Sequence, residues 1–207
     1  MIRFDELTDR AKESARDWLR EANSRDNYPF ELLTDEFRET VAPAFGFSGY
    51  GRHKLAETRW SGFSSQGDGA SFSGCWSLYD VNLTPLLADR PAGVGCKSND
   101  DLHRVAAEMA ALCAEIRAST PTNNHYDNPM DATITTRGHH CHEYEMQIES
   151  GQLIGDQKTR LLDIARTLAR WLYRQLDEEN DATYSAEYID DQIRANEYEF
   201  TEAGKIA

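Results

Sequence analysis

Residues 71–79 alternate without a break. Phe72, Gly74, Trp76 and Leu78 fall on one side, and Ser71, Ser73, Cys75, Ser77 and Tyr79 on the other. A period of two marks a strand, because successive side chains leave a pleated backbone on opposite faces. Just upstream, residues 60–63 are followed by Ser65-Gln66-Gly67-Asp68-Gly69, so the two runs read as a hairpin around a glycine-rich turn. A second pair of strand-like runs, 132–136 and 139–149, comes much later. In the latter, His140, His142, Tyr144, Met146 and Ile148 share one face.

Everywhere else the period is helical. Phe4, Leu7, Ala11, Ala15, Trp18, Leu19 and Ala22 form one apolar stripe, and Phe30, Leu33, Phe37 and Val41 form a second, ended by Pro43 and Gly46. Leu102, Val105, Ala106, Met109, Leu112, Cys113 and Ile116 make a third, opened by Ser98 and Asp101 as an approximate capping box. The longest, 155–179, uses Leu161, Ile164, Leu168, Trp171, Leu172 and Leu176, and a final helix starts near Ser185. Strands in adjacent pairs, without strand–helix–strand alternation, argue against a parallel sheet. The expected class is α+β: an antiparallel sheet of about four strands with helices packed on one face. It would form a single domain over 1–207, with 181–207 as an acidic helix and tail. Trp18, Phe37, Phe72, Leu168, Trp171 and Leu172 are expected in one core.

Charge narrows the function. The 207 residues carry 22 Lys and Arg against 36 Asp and Glu, a formal charge of −14. A main surface that grips a phosphate backbone needs the opposite sign, so direct nucleic-acid binding is not expected. The start, Met-Ile-Arg-Phe-Asp-Glu, holds no apolar stretch of a secretory signal, and no run reaches the ~18 apolar residues of a membrane span. A cytoplasmic protein is expected, with Cys75, Cys96, Cys113 and Cys141 as free thiols because none forms a C-x-x-C. Cys113 lies on an apolar stripe; Cys96, beside Lys97, is an isolated loop cysteine.

Three places offer chemistry. Asp68, at the hairpin tip beside Gln66, could accept a ligand's hydrogen bond or act as a base, although Asp-Gly is also what a tight turn asks for. In Gly138-His139-His140-Cys141-His142-Glu143, a strand sends alternate residues apart. Only His140 with His142, or His139 with Cys141, could then share a ligand, and a metal would need donors from elsewhere. Gln66, Asp68, His140 and His142 therefore form one candidate ligand site, without an assigned metal, cofactor or catalytic residue. The third place is 177–202, where ten carboxylates face one base, Arg194, with aromatics between them. Asp177, Glu178, Glu187, Asp190, Asp191, Glu197, Tyr198, Glu199 and Phe200 are the candidate partner-binding residues. Charges would steer a basic partner, and Tyr198 and Phe200 would anchor it. The same segment also fits a solvated face whose aromatics dock the last helix.

Two motifs carry a resemblance. Ser65-Gln66-Gly67-Asp68-Gly69-Ala70-x-Phe72 and Ala195-Asn196-Glu197-Tyr198-Glu199-Phe200-Thr201-Glu202-x-Gly204 resemble those of a family of phage- and prophage-encoded proteins. So do the helix end Trp171-Leu172-Tyr173-Arg174-Gln175-Leu176 and the link Glu178-Glu179-Asn180-Asp181-Ala182-Thr183-Tyr184-Ser185. Members are sometimes labelled antitoxins of stability systems, and the resemblance carries over no catalytic residue. It implies a small acidic protein that disables a host machine. The favoured expectation is a non-enzymatic inhibitor of a host defence or nucleic-acid-handling complex, such as a CRISPR effector, acting through an acidic surface against a basic channel. The alternatives are a ligand-binding or metal-assisted enzyme using Asp68 and the 139–142 histidines, and an antitoxin neutralising a basic toxin.

Overall fold

The computed structural model describes residues 1–24, 28–51, 54–87, 99–119 and 131–207. Cys96 and Ser98 lie outside them, so the loop thiol and half of the expected capping box are not placed. In chain order the elements are β1 (Ile2–Arg3), α1 (Asp9–Asn23), α2 (Tyr28–Glu36), a π turn (Phe37–Val41), α3 (Ala42–Ala44), β2 (Phe47–Ser48), β3 (Glu57–Ser61) and β4 (Gly69–Ser77). They continue with α4 (Thr84–Leu87), α5 (Asn99–Ser119), β5 (Asp131–Thr136), β6 (Met146–Glu149), α6 (Gly155–Tyr184), α7 (Ala186–Ala195) and β7 (Glu199–Phe200). All strand pairs are antiparallel, so the class is α+β. The residues group into two compact units, Met1–Glu31 with Leu176–Ala207, and Leu32–Gln175.

In the second unit, β4 pairs along its first half with β3 and along its second half with β2 and β5; β6 completes five strands. The extra strand β2 has two residues, too few to show a period. Phe72 meets Phe37 at 5.3 Å and Phe47 at 5.2 Å between ring centres, and Trp171 stacks on Phe37 at 6.5 Å. Pro43 does not end the second helix. It lacks the N–H that would close a turn back to Glu39, the ladder widens into the π turn, and the helix resumes to Ala44. Gly46, at φ +82°, then turns the chain. The serine side of β4 is not an open face: Ser71 and Ser73 are buried, and Tyr50 lies over the sheet with its hydroxyl donating to the Ile134 carbonyl at 2.9 Å. Burial pushes the Tyr50 phenol up.

The first unit is built from both ends of the sequence. Ile2 pairs with Phe200 and Arg3 with Glu199. The stripe Ala11, Ala15 and Leu19 of α1 packs with Phe4, Leu7, Ile189, Ile193 and Phe200. Thr8 caps α1 through the Ala11 N–H, and Ser185 caps α7 through the Tyr188 N–H. Trp18 belongs here, edge-on to Tyr198 at 5.1 Å, and not with Trp171 as expected. Apolar spacing marks a buried stripe but not which core receives it.

Candidate functional site

The sequence places its sharpest charge in 177–202, and those residues now have positions. Helix α7 ends in a Schellman motif: Tyr198 N–H donates to the Ile193 carbonyl and Glu197 N–H to that of Arg194. The left-handed position of that motif usually holds glycine, and here it holds Glu197, at φ +52°. The next residues alternate, Tyr198 half-buried, Glu199 exposed and Phe200 buried, and Phe200 packs on Phe4 and Trp18. Phe200 is therefore a docking residue and not an exposed anchor. Gly204 completes the motif for a steric reason, since a Cβ there would lie 2.0 Å from the Ala11 carbonyl oxygen. The C-terminal motif is the device that seats this segment on α1.

The carboxylates divide into two sets. Asp190 is committed: Arg16 reaches it with two hydrogen bonds, of 2.7 and 2.8 Å, and both side chains are mostly buried. The guanidinium holds the Asp190 carboxyl below its ordinary range and the carboxylate raises Arg16. Asp191 pairs with Arg194, which also holds Asp5, and stays exposed. Glu178, Glu187, Glu197 and Glu199 are exposed and enter no ion pair among the described residues, while Asp177 is half-buried. Glu197, Tyr198 and Glu199 line a cleft of about 270 Å³ with Arg3, Phe4, Asp5, Ile193 and Arg194.

The hairpin site comes together only in part. The Asp68 carboxylate turns back on its own loop, where Oδ2 accepts the Ser65 N–H at 2.6 Å and the Ser64 N–H at 2.9 Å. Those donors hold its carboxyl below the usual range, so Asp68 works as the turn's acceptor. The turn lies against the histidines. A Cβ on Gly67 would come within 3.1 Å of His140 Nδ1, and one on Gly69 within 3.3 Å of His142 Cδ2. Gln66 is exposed at the tip.

Residues 139–145 are not strand. Strand β6 begins at Met146, after a 3-10 turn at Glu143–Glu145, so the expected shared face does not form: Met146 is buried while Tyr144 is exposed. Glu143 is buried instead, with Oε2 at 2.8 Å from His142 Nδ1 and Oε1 at 3.8 Å from Arg170 Nε. An Nδ1–H directed at this carboxylate leaves Nε2 with the lone pair in the neutral ring, and makes the 3.3 Å approach of the Tyr144 N–H a contact only. The Tyr144 ring stacks on His142 at 4.7 Å. Among the described residues no three His, Cys, Asp or Glu side chains converge as a metal would need.

What the sequence reading missed is the basic flank of α6. Arg166, Arg170 and Arg174 recur every fourth residue, a row that helical geometry places along one side. Arg166 donates to the Met146 carbonyl; Tyr173 donates to the Gly62 carbonyl at 3.0 Å, and its ring stacks on Phe63. Arg170, Arg174, Tyr173 and Thr167 line a cleft of about 570 Å³ with Asp101 and Arg104 of α5. Another cleft, of about 800 Å³, lies around Cys75, Trp76 and Asp131, where burial raises the Asp131 carboxyl.

An α+β unit with a five-stranded antiparallel sheet, in a chain that also has an acidic terminal unit, is thus the class. The chain belongs to a family described as a domain of unknown function, DUF8835, whose model matches residues 30–186. No curated protein and no solved structure matches it. The match spans the whole of Leu32–Gln175 and leaves outside it most of the unit built from the two ends. No helix among the described residues is long and apolar enough to cross a membrane.

Proposed function

We propose that this chain is a phage- or prophage-encoded, non-enzymatic binding protein of the bacterial host cytoplasm. Its terminal unit would engage the basic surface of a host defence or nucleic-acid-handling complex, such as a CRISPR effector. One observation carries the reading: the terminal unit holds 18 Asp and Glu against eight Lys and Arg, a formal −10 of the chain's −14. Three of its arginines are spent on internal pairs, Arg16 with Asp190, Arg20 with Glu13 and Arg194 with Asp5, while Glu178, Glu187, Glu197 and Glu199 face outward. Unpaired, exposed carboxylates contribute little to folding and much to the rate at which a basic partner arrives. Tyr198, at the rim of the small cleft, supplies an apolar anchor among them.

The test is capture of the partner from host lysate at low salt, followed by kinetics with the purified complex. Reversal of Asp191, Glu197 and Glu199 to Lys should slow association about tenfold or more at low ionic strength and flatten its salt dependence. Each reversal should move stability by only about 0.5 kcal/mol. A triple variant that associates at the parent rate would sink the proposal.

A further inference from the structure

The chain gathers three guanidiniums in one cleft although it is strongly acidic. Arg104 lies in the first two turns of α5, at the positive end of that helix's dipole, and Arg170 and Arg174 lie one turn apart on α6. We infer that this cleft is a binding site for a dianionic phosphate group, as carried by a small phosphate monoester.

The cleft is held in shape before any ligand arrives. Asp101 accepts a hydrogen bond from Arg174 and pairs with Arg104 at 3.6 Å, so a single carboxylate ties α5 to α6 and orients two of the three cations. Arg170 is fixed by its own helix and by a neighbouring turn: Nη2 donates to Thr167 Oγ1 at 3.0 Å, and Nε faces the buried Glu143 carboxylate at 3.8 Å. Thr167 is itself set by its bond to the Asp163 carbonyl. These contacts use only part of what each guanidinium offers. Five N–H donors sit on every arginine; the contacts above engage one on Arg174 and two on Arg170, and Arg104 gives one to Glu108 Oε1 at 3.1 Å.

Geometry selects the ligand. The three lining arginines face three carboxylates, Asp101, Glu108 at 3.1 Å from Arg104 and Glu143 at 3.8 Å from Arg170, so what the cleft offers an anion is unused guanidinium donors rather than an excess of charge. A carboxylate is satisfied by a single guanidinium fork, whereas three forks approaching from two helices match the several oxygens of a tetrahedral anion. The volume, about 570 Å³, leaves room for the body of a small metabolite. Tyr173, on the wall, offers that body an aromatic ring already braced by Phe63 and by the bond to the Gly62 carbonyl. The site lies wholly within the unit that the family match spans, and it owes nothing to the acidic surface.

The experiment uses the full chain, with thermal shift and phosphorus NMR. Inorganic phosphate, a nucleoside 5′-monophosphate and a sugar phosphate are compared with citrate and with sodium chloride at equal ionic strength. Inorganic phosphate and the monoesters should broaden the phosphorus line and raise the melting temperature; chloride should do neither. Tighter binding of either monoester than of inorganic phosphate identifies a metabolite as the occupant, and equal binding identifies the free anion. Arg170→Gln should weaken phosphate binding at least about tenfold, and Arg170→Lys, which keeps the charge and loses the fork, should weaken it by a smaller factor. Arg104→Gln is the second variant, chosen because its exposed side chain puts folding at little risk. Reversal of Glu197 and Glu199 to Lys should leave phosphate binding unchanged, which separates this site from the partner surface. Absence of a phosphate effect in the tens of millimolar, citrate binding as tightly as phosphate, or parent-like binding by both glutamine variants would each overturn the assignment.

Discussion

The two units use arginine in opposite ways. In the terminal unit guanidiniums are braces: Arg16 ties α1 to α7 through Asp190, and Arg194 ties α7 to the Asp5 turn. In the inserted unit three of them line a cleft, where Asp101 positions Arg104 and Arg174 without using up their donors. The first arrangement leaves the surface to its carboxylates, and the second gathers guanidinium donors in one concavity. Net charge, a property of the whole chain, hides both. A −14 protein can still gather guanidinium donors at one place, because the donors of a site are set by what converges on it.

The largest test of the contrast concerns the two tryptophans. Trp171 is buried and stacked on Phe37, so Trp171→Ala should cost about 3–5 kcal/mol in urea denaturation. Trp18 is only partly buried against Tyr198 and Phe200, and Trp18→Ala should cost roughly 1.5–3 kcal/mol. Equal losses would break the distinction between a deep core in the inserted unit and a shallower one in the terminal unit.

Next in size is the Arg16 brace. Asp190→Ala removes two charge-assisted hydrogen bonds and should cost about 1.5–3 kcal/mol near neutral pH. Its pH signature follows from the depressed Asp190 carboxyl. A depressed folded pKa contributes stability that is present above the ordinary Asp value and is lost as pH falls through the folded value. The parent should therefore lose this contribution from about pH 4 downward, and Asp190→Ala should show no such loss. Parallel stability curves for parent and variant would show that the pair contributes nothing.

The smallest effect is a gain. Glu197 occupies a left-handed position that glycine fills without strain, so Glu197→Gly should raise stability by about 1 kcal/mol or less. The same change should slow partner association, since it deletes an exposed carboxylate at the cleft. A melting temperature that falls would mean that the Glu197 side chain supports the fold.

Helices were legible because their stripes are long: the spacing of Leu161, Leu168 and Leu172 needs no partner to be recognised. Helix α6 runs past residue 179 to Tyr184 because its carboxylates contain no breaker. Strands β1, β2 and β7 were not legible, since two residues have no period. The 139–149 run misled because its alternating polar and apolar residues imitate a strand, whereas Glu143 turns inward toward His142 and Arg170. In the acidic segment the sign was plain, but not which members are committed: Asp190 and Phe200 look like their neighbours until Arg16 and Phe4 are placed beside them. The arginine cleft joins residues 101 and 104 to 167–174, and only the packing of α5 on α6 makes them a set.

The pairing of Ile2 with Phe200 has a consequence for the order of events in folding. The terminal unit is assembled from two segments separated by the 144 residues Leu32–Gln175. Closing so long a loop from an unstructured chain costs about 4 kcal/mol in entropy, which two short strands and one helix pair do not readily recover. Collapse of the intervening residues shortens that loop, so the acidic unit is expected to zip up last. During synthesis α1 must wait, its apolar stripe uncovered, until α7 and β7 have been made. Its early carboxylates and arginines, including Asp9, Arg10, Glu13 and Asp17, then serve a second purpose, keeping an unpaired amphipathic helix in solution until its partner arrives.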